Sequence, residues 1–250
     1  MRQILAIFVL NSITFLIFDL KHRKIPRLSR RKYNDNVMNY FVAGMLNQPD
    51  PAFNFLLNKV QAGITYCQYS QLGFNVSEYA STILSDIEIN KFKIVKIFTI
   101  SVGQEVAESL EQLLTINHPD MDFEIISFNP CCGCEVLKNK FTRLRFLVKI
   151  IPLVVKLLLG WVSIIPMPIA DQKCSLVLLF DQLKNIFTKR LSQSKATSHV
   201  VISEKDEFLN NDMIFLAYKE TAVFHSVDTN HANTVDGGKE YLDAIRSINL

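Results

Sequence analysis

A serine lies where an apolar, strand-like run is followed at once by a helix-like run. Residues 94–100 are almost entirely apolar, as is typical of a central parallel strand, and residues 104–116 have the spacing of a helix. The junction between them is Thr99-Ile100-Ser101-Val102-Gly103. A hydroxyl on such a turn is lifted above the sheet, and the amides that begin the helix favour an oxyanion. The pattern predicts a nucleophilic Ser101, although a serine that only caps the helix would give the same sequence.

Two later strand-like runs are followed by an acidic loop and by a histidine. Residues 198–203 precede Glu204-Lys205-Asp206-Glu207, and residues 221–226 precede the loop that contains His231. With the serine turn, this order resembles the α/β-hydrolase family, in which the nucleophile lies in a G-x-S-x-G turn and the acid and the histidine each follow a later strand. Thr99 stands where the first glycine is usual. The resemblance covers residues 33–250, apart from an inserted segment.

The resemblance implies a catalytic triad. Ser101 is the implied nucleophile, His231 the base that takes its proton, and Asp206 the acid that orients the imidazole and stabilises its cation. Glu204 and Glu207 are the alternatives for the acid. Of the five histidines, only His231 falls in a loop after the last strand. The others lie in a basic run, after a helix or within predicted strands: His22, His118, His199 and His225.

The same resemblance implies an oxyanion hole made of two backbone amides. One is the amide of Val102, which follows the nucleophile. The other is the amide of Met45, in the loop after the strand-like residues 37–43. The family usually has His-Gly in this loop, whereas this chain has Ala43-Gly44-Met45. Because the donor belongs to the backbone, the missing histidine does not remove it.

Strand-like and helix-like runs alternate along most of the chain. The strand-like runs are at 37–43, 64–69, 94–100, 123–128, 198–203 and 221–226. The helix-like runs are at 51–61, 76–89, 104–116 and 235–248. This alternation predicts an α/β fold with a mostly parallel, doubly wound sheet, and the resemblance makes it a sheet of the α/β-hydrolase type.

An apolar insertion interrupts the alternation before the strand at 198–203. Residues 147–170 are rich in Leu, Ile and Val and contain Pro152, Pro166 and Pro168. The segment 134–190 resembles a helical lid over the sheet edge where ligands bind. It also fits a buried helix pair or a second membrane stretch, but its lysines and prolines argue against a clean span. A lid this apolar implies an ester substrate with an apolar acyl group.

The first 32 residues differ in composition from the rest. An apolar run at 4–18 precedes seven Lys or Arg residues within 21–32. Three interpretations fit: a short membrane anchor with its basic flank in the cytoplasm, a segment packed on the domain, and a signal peptide, for which no small-residue cleavage site follows. We therefore divide the chain into an N-terminal segment, 1–32, as a candidate membrane anchor, and a hydrolase domain, 33–250, whose residues 134–190 form the lid.

Composition excludes several classes of protein. The 250 residues are 49% hydrophobic, which is enough to bury a core, and acidic residues outnumber basic ones beyond residue 32. We therefore expect no nucleic-acid partner. Five cysteines, of which Cys131, Cys132 and Cys134 are clustered, have neither the even spread of a disulfide framework nor the spacing of zinc ligands. This usage favours the cytoplasm, and we expect neither a cofactor nor a metal.

Together these features predict a serine hydrolase that forms an acyl-enzyme with a small-molecule or lipid ester. Two alternatives stay open, because a fold does not decide a substrate. One is a non-catalytic binding protein of the same fold. The other is an acyltransferase or peptidase that uses the same triad.

Overall fold

The computed structural model describes residues 27–32, 37–44, 63–68, 74–142, 164–166, 173–231 and 238–248. Within these residues, seven strands form one sheet: β1 (Arg27–Lys32), β2 (Val37–Val42), β3 (Gly63–Gln68), β4 (Ile94–Ile100), β5 (Asp122–Phe128), β8 (Thr197–Ser203) and β9 (Val223–Val227). Two short strands, β6 (Ile164–Pro166) and β7 (Lys173–Ser175), pair separately. The helices are α1 (Val76–Asn90), α2 (Gly103–Asn117), α3 (Asn139–Thr142), α4 (Leu176–Thr188), α5 (Asn211–Tyr218) and α6 (Gly238–Ser247).

The strand order of the large sheet is β1-β3-β2-β4-β5-β8-β9. All neighbours from β3 to β9 are parallel, and only β1 runs antiparallel to its partner. The mostly parallel sheet predicted from the sequence is therefore confirmed. The chain leaves β2 in one direction, toward β3, and continues from β4 in the other. Such a reversal opens a crevice at the carboxyl ends of the two strands, where open α/β sheets bind ligands.

The edge strand β1 comes from the end of the basic run. Arg27 pairs with Gln68 and Leu28 with Cys67, so residues 27–32 belong to the sheet as well as to the N-terminal segment 1–32. Four of the six residues of β1 are Arg or Lys, a composition that discourages pairing with a further sheet edge. The apolar run at 4–18 lies outside the described residues. Among the described helices, none is long and apolar enough to cross a membrane.

Strand β4 lies between β2 and β5, and most of its side chains are buried. This explains its nearly continuous apolar sequence, because helices cover both faces of a parallel sheet. Helices α1 and α2 pack against each other. Ile83 and Ile87 of α1 and Val106 and Leu110 of α2 enter the main core. Burying such side chains stabilises the fold by roughly 1.5–3 kcal/mol each, which fixes the strand that carries Ser101.

The observed strands of the large sheet begin and end within two residues of the predicted ones, except that β1 was not predicted. Helix α5 was also missed; it begins after Asn210, whose side chain accepts a hydrogen bond from the Asp212 amide at 3.1 Å. The predicted helix at 51–61 lies outside the described residues.

The insertion at 134–190 is not purely helical in the part that the structure describes. It contains the helices α3 and α4, but it also contains the antiparallel pair β6 and β7. Ile164 and Ile165 are β-branched, and Pro166 cannot continue a helix, so this stretch favours an extended conformation. Most of the apolar run at 147–170, including Trp161, lies outside the described residues.

Candidate active site

Ser101 occupies a left-handed backbone conformation at the end of β4, with φ at 50°. Its amide donates to the Phe128 carbonyl at 2.9 Å, and its own carbonyl accepts from the Cys131 amide at 3.0 Å. Left-handed φ values cost a non-glycine residue on the order of 1–3 kcal/mol, so the surrounding structure must hold the turn. Both hydrogen bonds come from the last residue of β5 and the loop that follows it. Ser101 is thus positioned by β4 and by the end of the neighbouring strand.

Two glycines allow the turn to be this compact. A Cβ on Gly103 would lie 2.5 Å from the Val42 carbonyl oxygen, so only glycine lets α2 begin against the end of β2. A Cβ on Gly44 would lie 3.5 Å from Cβ of Ser101, which places the loop after β2 directly beside Ser101. Val102 is buried at the start of α2. Met45, the other predicted oxyanion donor, lies outside the described residues.

Thr99, which stands at the first glycine position of the family pattern, is completely buried. Its hydroxyl donates to Oε1 of Gln104 at 2.9 Å, and the hydroxyl of Ser127 donates to the same oxygen. Nε2 of Gln104 in turn donates to Glu108 at 3.3 Å and to the Tyr218 hydroxyl at 3.2 Å. The bulk of the threonine is therefore accommodated by a polar network beneath the turn.

The predicted triad residues lie together at the carboxyl ends of β4, β8 and β9. Nε2 of His231 is 3.1 Å from Oγ of Ser101, and Nδ1 of His231 is 2.7 Å from Oδ2 of Asp206. With the Nδ1 proton donated to the carboxylate, Nε2 keeps a free lone pair for the serine proton. The ends of parallel strands meet at one edge, which is why residues this distant in sequence converge.

Asp206 is buried and accepts four hydrogen bonds. The amides of Phe208 and Leu209 donate to Oδ1 at 2.8 Å each, and Nδ2 of Asn129 donates to Oδ2 at 2.7 Å, beside His231. Burial raises the pKa of this carboxyl, but the hydrogen bonds and the charge of His231 outweigh it and leave the pKa of Asp206 below its usual value. Asp206 is therefore a carboxylate at neutral pH and can stabilise an imidazolium.

The two glutamates considered as alternative acids contact other groups. Glu204 accepts from the Ser226 hydroxyl at 2.6 Å. Glu207 accepts from the backbone amide of His231 at 3.0 Å, so it holds the histidine loop and does not bind the ring. Of these three acids, Asp206 is the one whose carboxylate contacts the imidazole.

The other described histidines lie in separate contacts. His118 is 3.0 Å from Glu88. Nδ1 of His199 is 3.1 Å from Nε2 of His225. Burial, and to a smaller extent the charge of His199, lowers the pKa of His225. His22 lies outside the described residues.

Two residues of the site were missed in the sequence. Asn129 follows the buried strand β5 directly, and a polar residue at that position was the available signal. Phe208 lies two residues after Asp206, and its ring meets the His231 ring edge-on with 5.3 Å between centroids. Phe208 is 41% exposed, so it presents an apolar surface beside the His231 ring.

Cys131, the first of the clustered cysteines, donates its backbone amide to the Ser101 carbonyl at 3.0 Å. Cys131 and Cys132 are buried, and burial raises the pKa of the Cys132 thiol to about 12 and that of Cys131 well above its ordinary value. Both are therefore thiols at neutral pH, whereas metals bind the thiolate. In the described part of the chain, no group of His, Cys, Asp and Glu side chains is arranged to hold a metal ion.

No protein-family model matches the sequence, and no curated protein sequence matches it either. Solved structures do match. A lipase-esterase related protein from Clostridium acetobutylicum ATCC 824 has a TM-score of 0.63 at 12% identity, over 90% of this chain and 99% of that one. A monoacylglycerol lipase from Paleococcus ferrophilus has a TM-score of 0.60 at 15% identity, over 90% and 98%.

A third match has a different named activity. The type II thioesterase BorB from the borrelidin biosynthetic cluster has a TM-score of 0.62 at 10% identity, over 88% of this chain and 96% of that one. Likeness at such low identity concerns the fold. The parallel sheet, its strand order and the turn at the end of β4 agree with it: the chain has the α/β-hydrolase fold.

Proposed function

We propose that this chain is a serine hydrolase that cleaves carboxylic esters through an acyl-enzyme. The observation that carries the proposal is the continuous path from Asp206 through His231 to Ser101, with contacts of 2.7 and 3.1 Å. A hydroxyl is a weak nucleophile until a base takes its proton, and a carboxylate behind the base fixes the tautomer that can do so. All three groups needed for that chemistry are present in the required order.

In the first half of the reaction, Oγ of Ser101 attacks the ester carbonyl carbon. Nε2 of His231 takes the serine proton as the new C–O bond forms, and Asp206 stabilises the resulting imidazolium. The amide of Val102, and by resemblance that of Met45, donate to the oxyanion. The tetrahedral intermediate then breaks its bond to the alcohol oxygen, which leaves with the proton from His231.

In the second half, water replaces the alcohol. His231 takes a proton from the water, whose oxygen attacks the acyl carbon, and the proton is returned to Oγ of Ser101 as the acid leaves. No external oxidant, metal or cofactor enters these steps. The same groups would also serve an alcohol or amine acceptor, which is why transfer and peptide cleavage are the alternatives.

The substrate we propose is an ester with an apolar acyl group. The exposed ring of Phe208 beside His231 and the apolar sequence of the insertion both favour such a group. The names of the similar Clostridium and Paleococcus proteins, lipase-esterase related and monoacylglycerol lipase, agree with this class. We also propose that the apolar run at 4–18 attaches the protein to a membrane surface, where lipid esters are found.

Fluorophosphonate labelling and ester hydrolysis test the proposal together. The wild-type protein should be labelled at one serine and should hydrolyse p-nitrophenyl esters, and Ser101→Ala should abolish both. Ser81→Ala, at an exposed serine of α1, is the matched control and should leave both unchanged. Labelling that persists in Ser101→Ala would remove the assignment of the nucleophile. A wild-type protein that is neither labelled nor active would favour the binding-protein alternative.

A further inference from the structure

Three buried polar side chains form a connected group next to Asp206: Asn129, Ser203 and Tyr241, here called the acid-support network. Each is 3% exposed or less. The hydroxyls of Ser203 and Tyr241 are 2.6 Å apart, and each also lies within hydrogen-bond distance of Oδ1 of Asn129, at 3.1 and 3.2 Å. Asn129 directly follows β5, Ser203 ends β8 and Tyr241 lies in α6, so the network joins three parts of the fold around the triad acid.

The contacts fix which way the Asn129 amide faces. Its oxygen accepts from hydroxyls, and its nitrogen donates to Oδ2 of Asp206 at 2.7 Å. The opposite orientation would direct the amide oxygen at a carboxylate oxygen and the NH₂ group at two hydroxyls, which is unfavourable for the Asp206 contact. The carboxylate of Asp206, which can only accept, therefore selects the orientation in which Asn129 donates to it, and the two hydroxyls can donate to the Asn129 oxygen that this leaves facing them.

The backbone of Asn129 is also special. Its φ is 47°, a left-handed conformation that asparagine tolerates better than most residues, and its amide donates to the Val201 carbonyl at 2.8 Å. The free-energy cost of this left-handed conformation falls where β5 ends and the chain turns toward Cys131. An energetically costly, buried polar residue in contact with the triad acid indicates a functional reason for its position.

Asn129 donates to the oxygen of Asp206 that His231 also uses. Within the described part of the chain, it provides the only side-chain hydrogen bond to the Asp206 carboxylate besides that of His231, while the charged Nζ of Lys138 donates to the backbone carbonyl of Asp206. A neutral amide stabilises the carboxylate without cancelling its charge, whereas an arginine or lysine in its place would weaken the attraction to the imidazolium.

We propose that Asn129 is a positioning residue that keeps Asp206 ionised and oriented toward His231, and that Ser203 and Tyr241 hold Asn129 in place. The proposal rests on the proposed function of the triad. Helix α6, which follows the histidine in the chain, then helps to orient Asp206, because its Tyr241 supports Asn129. Asn129 does not touch substrate, so its effect passes through Asp206 alone.

The test uses Asn129→Asp and Asn129→Gly in the full-length protein. Asn129→Asp keeps an oxygen for the two hydroxyls but faces Asp206 with a second carboxyl, and Asn129→Gly removes the side chain where glycine suits the backbone. We expect kcat to fall about 10- to 100-fold in each, as for the loss of a hydrogen bond to a charged group, with KM little changed. In Asn129→Asp the acidic limb of the pH–rate profile should move to higher pH, because adjacent carboxyls bind a proton more tightly.

Three further variants separate this role from a structural one. Tyr241→Phe removes only the hydroxyl that supports Asn129 and should produce a smaller fall in kcat of the same kind. Asn117→Asp, at an exposed residue of α2, is the matched substitution and should leave kcat and the pH profile unchanged. The downfield proton NMR signal of the His231 Nδ1 hydrogen bond, assigned by its loss in His231→Gln, should shift in both Asn129 variants.

The NMR signal does not depend on turnover, so it tests the inference even if the protein hydrolyses no ester. An inactive wild-type protein whose signal shifts in the Asn129 variants would contradict the proposed function and support the role of Asn129. Folded Asn129 variants with wild-type kcat, pH profile and signal would overturn the inference. A fall in kcat without any change in the pH profile or the signal would also overturn it, since the effect would then be structural only.

Discussion

The hydroxyl of Ser101 lies 3.1 Å from Nε2 of His231, although 130 positions separate the two residues in sequence. The contact depends on β4 and β9 running in the same direction, so that both strands deliver their following residues to one edge of the sheet. Ser101 reaches it through a left-handed turn, and His231 through a loop that Glu207 holds by the backbone. The distance suits proton transfer between the two groups.

Ser101→Ala and His231→Ala should each lower kcat at least about a thousandfold, and the double variant should be little worse than either. In the proposed mechanism the two residues share one proton path, so removing either one disables the other. Ester hydrolysis by purified variants measures this. Losses that multiply in the double variant would show that the serine and the histidine act separately.

Asp206→Asn should lower kcat by roughly 10³- to 10⁴-fold, because an amide cannot hold the imidazole in the required tautomer or stabilise its cation. Glu204→Gln should leave kcat unchanged, and Glu207→Gln should have a small effect, since Glu207 binds only the His231 backbone. Each of the three variants replaces one carboxylate oxygen by an NH₂ group of similar size, so their effects can be compared directly. A larger loss of kcat in either glutamate variant than in Asp206→Asn would assign the role of the triad acid to that glutamate instead.

Glu105, in the first turn of α2, should make stability depend on pH. One carboxyl oxygen accepts from the Asn185 amide, and the other has no partner among the described residues. Burial raises the pKa of Glu105 to about 8, with Lys189 lowering it and Glu108 raising it further. Between about pH 4.5 and pH 8, Glu105 therefore binds a proton in the folded state that it has released in the unfolded state.

Because the folded pKa is raised, the free energy of unfolding should fall as pH rises from about 4.5 to about 8 and should change no further from this group above that. Glu105→Gln should flatten this slope and gain most stability at the alkaline end. Urea unfolding at a series of pH values measures it, with Glu220→Gln at an exposed site as the control. Parallel slopes in wild type and Glu105→Gln would contradict the prediction.

Rates on p-nitrophenyl esters should rise with acyl length until the apolar site is filled. Each buried methylene contributes roughly 0.8 kcal/mol, which is about fourfold in kcat/KM. Phe208→Ala should flatten this dependence by removing the apolar surface beside His231. Phe215→Ala, at an exposed ring that packs on Phe224, should preserve it. A flat dependence in the wild-type protein would argue against an apolar acyl group.

Deleting residues 1–26 should weaken attachment to anionic vesicles and leave hydrolysis of a short soluble ester nearly intact. Flotation with vesicles and an ester assay measure the two properties. Deleting residues 1–32 should in addition destabilise the protein, because β1 and its pairing with β3 are lost. A protein without residues 1–26 that still floats with the vesicles would place the attachment elsewhere.

How much the sequence could predict depended on the distance over which each feature is determined. The strand β4, the turn at Ser101 and the helix α2 are contiguous, so periodicity and turn composition were enough. The edge strand β1 was missed because a run rich in Arg and Lys lacks the alternation of a half-buried strand. The position of Asn129 directly after β5 is a local signal of a site residue, but its partner Asp206 lies 77 positions away, and no local pattern identifies that partner.

Thr99 illustrates the same limit at the nucleophile turn. A bulky residue at that position departs from the family pattern, and nothing near it in sequence indicates how it fits. The structure accommodates it through Gln104, whose amide reaches Tyr218, 114 positions away. A departure from a motif can therefore be matched by residues that only the fold brings near.

The hydrogen bonds that Ser101 makes with Phe128 and Cys131 have a consequence for how reactivity arises during folding. Phe128 is the last residue of β5, and Cys131 lies just after that strand. If β4 and α2 have formed but β5 has not docked, Ser101 is present without its reactive geometry. Among the described residues, only the Gln104 amide of α2 would still bind the Ser101 carbonyl, at 3.2 Å, and the Ser101 amide would have lost its partner, so the left-handed turn would be held less firmly. Reaction with an active-site probe therefore reports on sheet assembly, and a refolding experiment should regain helical content before it regains labelling.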